Sequence, residues 1–282
     1  MPLPLAFRHL VDDAAVFPPG LAPLPRAVTE HAGHLASAHA ELVGPLVIGA
    51  DRLAELARLA GPELFPDGLR VSVVTAPAAI PAVLAALAAT DRLVPAALEV
   101  KPDPALPLRH QTDGLAAHTL PGTVYIEAPR PGTPAWDEAL ASAVRHGFRL
   151  KFRTGGTEAA AFPTEDEVAA WIHDTVTAGA AFKCTAGLHH AVRHTAAATG
   201  FEHHGYLNVL LATARACSGA PLATIRAALA ERDPDTLARA VTELPAADTA
   251  AARTAFTSYG SCSVLEPLDD LAALGLLDPA TS

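Results

Sequence analysis

Three lysines set against seventeen arginines are the first sign of chemistry in this 282-residue chain. They are Lys101, Lys151 and Lys183. A chain that supplies its surface cations as arginine keeps lysine where arginine cannot serve, because an ammonium can lose its proton and act as nucleophile or base while a guanidinium stays charged. All three fall at the ends of short β-like runs: AALEVK ends on Lys101, FRLKFR holds Lys151 and AFKCT holds Lys183. Residues two apart on a strand share a face. Alternation therefore groups Glu99 with Lys101, Lys151 with Arg153, Lys183 with Thr185, and Tyr125 with Glu127 in TVYIEA, while Leu150, Phe152, Phe182 and Cys184 face the other way. Charges on an interior face must be paired, and at the carboxyl ends of strands they read as catalytic.

Lys151 and Lys183 fall on the sixth and seventh strands, which are neighbours. Adjacent ammonium groups in a partly dry site disfavour each other's charge, the condition for a free amine that captures a carbonyl. On this reading Lys183→Arg keeps part of the activity. Glu127 is the expected proton shuttle, and Lys101 is expected to pair with a carboxylate or with substrate charge. Arg153, Thr154, Gly155 and Gly156 after strand six, Gly187 after strand seven and Ser261 on strand eight offer donors to an anionic group. Glu99 and Thr185 line the same face.

Histidines give a competing reading. His189, His190, His194, His203 and His204 crowd into one stretch, and a metal-assisted hydrolase or isomerase would use His189 and His190 with Glu127. Their spacing is not HExxH, so they are expected as hydrogen-bonding or substrate-contacting loop residues, with no metal and no cofactor. Asn208, the only asparagine, sits at a helix start in HHGYLN and is either a cap or a substrate contact. Cys262 in GSCS reads as a structural thiol. One of Asp12 and Asp13 is expected to face the site.

These side chains need a scaffold, and the runs supply it. Strands are expected at Leu46–Gly49, Leu69–Thr75, Ala96–Lys101, Thr123–Ala128, Phe148–Arg153, Ala181–Thr185 and Ala255–Ser261, with a weaker first strand within Leu10–Phe17. Helical stretches separate them, including one opened by the T-x-x-E box at Thr164–Glu167. Eight strands alternating with helices predict a single (β/α)8 TIM barrel. About seventy residues between strands seven and eight predict a helical insertion over roughly 203–250, serving as a lid or a homo-oligomer contact. No GxGxxG turn supports a dinucleotide fold.

Composition narrows the function. Hydrophobic residues make up 50% and charged residues 18%, enough to bury one large core. No apolar run approaches the roughly 20 residues of a membrane span, and Met1–Leu10 lacks the pattern of a secretory signal. Three scattered cysteines suit a reducing, cytoplasmic setting. A net charge of −10 leaves no basic face for nucleic acid. A small-molecule substrate is the expected partner.

The lysine pair on strands six and seven resembles that of the class I aldolases, most closely the deoxyribose-phosphate aldolases. That resemblance covers those two strands and the barrel outline. It implies that Lys151 forms a Schiff base, that Lys183 lowers its pKa, and that the chain is a lyase acting on a small anionic carbonyl compound. The segments VFPP, RTGG, TAGLHH and GSCS also resemble those of an uncharacterised bacterial β/α-barrel family, which implies the fold and no activity. A barrel that binds a small ligand without turning it over is the alternative outside catalysis.

Overall fold

The computed structural model describes residues 3–277. The runs along the chain become β1 (Val11–Asp13), β2 (Val43–Gly49), β3 (Leu69–Thr75), β4 (Leu93–Val100), β5 (Thr123–Glu127), β6 (Arg149–Arg153) and β7 (Phe182–Thr185). A small antiparallel hairpin follows, β8 (His194–Thr195) with β9 (Glu202–His203). Strand β10 (Phe256–Ser261) then pairs with both β7 and β1, closing eight parallel strands into a barrel. This is the (β/α)8 TIM barrel that the strand count predicts. Among the described residues no helix is long and apolar enough to cross a membrane.

Six helices follow the first six strands in turn: α1 (Leu24–Leu35), α2 (Leu53–Leu59), α3 (Ile80–Ala88), α4 (Leu108–Ala116), α5 (Pro134–His146) and α6 (Glu165–Thr177). Local chemistry fixes their ends. Thr164 and Glu167 form the expected capping box at α6, and Thr133 caps α5, which stops at Gly147 with φ 68°. Such a left-handed residue ends a helix cheaply only where no Cβ is present. The insertion supplies α7 (Tyr206–Cys217), α8 (Leu222–Ala230), α9 (Pro234–Thr242) and α10 (Ala246–Ala255), and α11 (Leu265–Ala273) follows β10. Helix α7 is buried from Tyr206 to Ala214, and α8, α9 and α10 pack against it. The insertion thus thickens the helical layer. Neither α10 nor the hairpin is marked in the sequence by a strong period.

Apolar burial lies between the barrel and its helices. Outward side chains of β2 to β5, such as Ile48, Val73, Leu98 and Ile126, meet Leu24, Val28, Ile80 and Val83. On the other half Phe152 and Phe182 stack at 4.6 Å and Phe182 and Phe256 at 5.3 Å, with Trp171 on Phe152 at 4.8 Å. Each fully buried side chain of this size contributes about 1.5–3 kcal/mol. With that layer holding the fold, the barrel interior is free to carry Asp12, Ser72, Glu99, Lys151, Lys183 and Ser258, all buried.

Candidate active site

The interior charges form one chain of contacts, most of them across strands that are not neighbours. Lys183 on β7 lies between two carboxylates: its Nζ is 2.5 Å from Asp12 Oδ2 on β1 and 2.5 Å from Glu99 Oε1 on β4. The other oxygen of Glu99 meets Lys151 Nζ at 3.3 Å, and Lys151 also meets Glu127 Oε2 at 3.0 Å. Two hydroxyls complete the set. Ser72 donates to Glu99 Oε1 at 2.7 Å, and Ser258 donates to Asp12 Oδ2 at 2.8 Å. Strand β2 accommodates Asp12 by presenting bare backbone, since a Cβ on Gly44 would stand 2.1 Å from Asp12 Oδ1.

Electrostatics follow from that order. Burial opposes the charge on Glu99, but Lys183 and Lys151 outweigh it and hold its pKa down to about 2. Burial likewise opposes the charge on Lys183, yet Asp12 and Glu99 raise its pKa above the ordinary ammonium range. Asp12 is pushed up by burial, with Lys183 working against the rise. The expected repulsion between the two ammonium groups is therefore corrected: Glu99 stands between them and offsets it. Lys183 is held between two buried carboxylates, and Lys151 is the lysine that meets the mouth group Glu127.

At the mouth, burial works against Glu127 but Lys151 and then Arg153 keep its pKa lowered. Arg153 Nε is 3.6 Å from Glu127 Oε1, with the arginine side chain 46% exposed. Lys101 lies one residue past β4, exposed, close enough for its charge to act on Glu127. It makes no ion pair among the described residues, so of its two expected partners, a carboxylate and substrate charge, the carboxylate is not found. Thr185 is half-buried at the same end.

Three of the expected anion donors have other work. The Thr154 hydroxyl donates to Ala186 O at 2.5 Å. A Cβ on Gly155 would lie 2.8 Å from Gly187 Cα, and one on Gly187, at φ +76°, would lie 2.8 Å from Thr154 O. These residues press the β6 and β7 loops backbone to backbone instead of opening a cradle. Gly156 is exposed against Ala161, and Ser261 uses its hydroxyl oxygen to accept from Ser263 N at 3.3 Å. Asn208 is corrected as well. Its Oδ1 accepts from Arg193 N at 2.8 Å, and its Nδ2 donates to Ala228 O and Glu231 O at 2.9 and 2.8 Å, so the amide ties helices together and has no donor left for a ligand.

Three of the histidines cluster, His190 against His194 at 4.8 Å and His194 against His203 at 5.1 Å between ring centroids, but they do not turn to Glu127. His189 turns to Glu266 at 3.1 Å and His190 to Asp270 at 3.2 Å, while Glu127 is paired with Lys151. Among the described residues no three His, Cys, Asp or Glu side chains converge as a metal site. His204 is buried, bonded to Pro163 O at 2.8 Å, and burial lowers its pKa to about 4. Cys262 sits 3.7 Å from His189 Nδ1, and burial pushes its thiol up. Of the aspartate pair, Asp12 faces the interior and Asp13 faces outward to His31 on α1 at 2.9 Å.

A groove of about 340 Å³ lies elsewhere, lined by Leu5, Phe7, Val241 and Leu244 among others. It has no ionisable side chain in its walls, so chemistry points to the strand ends instead. Scanned against protein-family models, curated proteins and solved structures, the chain matches none. The likeness to the aldolases thus stays with the placement of two lysines inside a closed parallel barrel.

Proposed function

We propose that this chain is a Schiff-base lyase of the class I aldolase type, acting on a small anionic carbonyl compound with Lys151 as nucleophile. The observation that carries the reading is Lys151 Nζ between Glu127 at 3.0 Å and Glu99 at 3.3 Å, one carboxylate near solvent and the other buried. Glu127, 13% exposed on its side chain, accepts the ammonium proton. The free amine adds to the substrate carbonyl carbon, and Glu127 returns the proton as water leaves, giving an iminium. Glu99, ionised down to about pH 2, offers that cation the fixed negative charge that it offered the ammonium. The iminium then draws the electron pair of the adjacent carbon–carbon bond as Glu127 takes the proton of the substrate hydroxyl. An aldehyde departs and an enamine remains. Protonation of the enamine carbon by Glu127 and hydrolysis by water release the second carbonyl product and restore the amine.

Borohydride reduction in the presence of candidate carbonyl compounds, followed by peptide mass mapping, tests the reading. Reduced adduct on Lys151, and its loss in Lys151→Arg with the fold retained, supports it. Turnover of a substrate with no adduct on Lys151 removes it. An adduct on Lys183 alone moves the nucleophile to that residue.

A further inference from the structure

We infer that the anionic group of the substrate is a carboxylate held by Arg153 and Lys101 on the β4–β6 side of the mouth, and that a phosphate at the β7–β10 side is disfavoured. The inference rests on the Schiff-base reading of Lys151 and names the substrate class that the same site takes.

Barrels of this architecture commonly hold phosphate at the loops after their last two strands, against the N–H groups of a helix start. Here both helix starts in that region are engaged. Tyr206 N and Leu207 N of α7 donate to His190 O and Ala191 O at 3.1 and 3.0 Å. At α11, Glu266 N donates to Ser263 Oγ at 3.2 Å, and Glu266 itself brings a negative charge to the first turn. Asp270 of the same helix reaches the β7 loop, with Oδ2 at 2.7 Å from Ala191 N. The histidines of this region are already paired with those carboxylates, His189 with Glu266 at 3.1 Å and His190 with Asp270 at 3.2 Å, so among the described residues a phosphate would find no lysine or arginine free of a partner at these two helix starts.

The cations stand on the other side. Three consecutive strands, β4, β5 and β6, lead to Lys101, Glu127 and Arg153. Inside, Asp12 and Glu99 balance Lys183 and Lys151. At the mouth one carboxylate faces two cations, so a single positive charge is left in excess, which suits a monoanion. A guanidinium matches the two oxygens of a carboxylate with parallel donors. Arg153 is half exposed and 3.6 Å from Glu127, beyond hydrogen-bonding reach at Nε, so an incoming carboxylate competes with Glu127 on favourable terms. Once Arg153 turns to the ligand, Glu127 loses one of the cations that lower its pKa and becomes a stronger base as the substrate docks.

Borohydride trapping on Lys151, read by intact mass against ketone concentration, tests this with three probes: pyruvate, its uncharged methyl ester and dihydroxyacetone phosphate. Pyruvate is expected to reach half-labelling at a concentration about tenfold below either of the others, the scale of one charge-assisted contact. Arg153→Gln and Lys101→Gln should each shrink the preference of pyruvate over its ester. Labelling by dihydroxyacetone phosphate at lower concentration than pyruvate overturns the carboxylate assignment alone, as does an undiminished preference in both variants. Absence of Lys151 adduct with all three probes overturns the Schiff-base reading and this inference with it.

Discussion

Glu99→Gln isolates the charge at the centre of the network, because glutamine keeps the volume and reach of the side chain. Glu99 is 2% exposed on its side chain and touches both lysines, so solvent screening takes little from its interactions. Its pKa falls from 4.5 to about 2 in the folded protein. At about 1.36 kcal/mol per unit, the folded surroundings favour the carboxylate over the neutral acid by roughly 3 kcal/mol. A depressed folded pKa adds stability that is complete above about pH 4.5 and disappears as pH falls through about 2. In urea denaturation the variant should therefore unfold roughly 3 kcal/mol more easily than the parent at pH 7, and the gap should narrow to roughly half of that at pH 3. A gap that keeps its size between the two pH values, or that is below about 1 kcal/mol at pH 7, would refute the reasoning, since the carboxylate would then not be the group that binds the two lysines together.

Other outcomes follow from the same geometry. Lys183→Arg places a bulkier head where both partners stand at 2.5 Å; in place of the partial activity expected from sequence, thermal unfolding should show a loss of about 1–3 kcal/mol and activity should fall with it. Gly187→Ala puts a Cβ 2.8 Å from Thr154 O at φ +76°, and a cost of about 1–3 kcal/mol is expected in denaturant unfolding. His204 has a folded pKa of about 4 against 6.5, so the unfolded chain takes up a proton that the folded one refuses: stability present above about pH 6.5 declines toward pH 4 by roughly 3 kcal/mol, and the decline should flatten in His204→Gln.

Alternation along strands was readable, and it correctly turned Glu99, Tyr125, Glu127, Lys151 and Lys183 inward. What alternation cannot give is which inward groups meet. Glu99 reaches Lys183 across strands that are not neighbours, a contact set by barrel stagger and not by local pattern. Strand β1 has three residues, too few to show a period, so Asp12 and Asp13 could not be told apart. Ser72 sits on the inward face of LRVSVVT and was legible there in principle, as a small polar residue among valines. Asn208 misled because a residue's scarcity says nothing about its partners, which are Arg193 ahead of α7 and Ala228 and Glu231 at the end of α8. Gly155 of RTGG and Gly187 of TAGLHH read as donors for an anion, and the structure instead uses them to bring one loop against the other.

The closed network also bears on how the chain assembles. The half that contains β1 to β4 brings to the interior Asp12 and Glu99, both negative, while the later half brings Lys151 and Lys183 with Glu127. Lys183 finds its two partners 171 and 84 positions away. Neither half can close its own interior without burying unbalanced charge, which costs several kcal/mol per ion. During synthesis the first four strands must wait, with their carboxylates in water, until the later strands arrive. The halves fit each other as an acid and a base surface do, so a split gene would yield two fragments that recombine more readily than either folds alone.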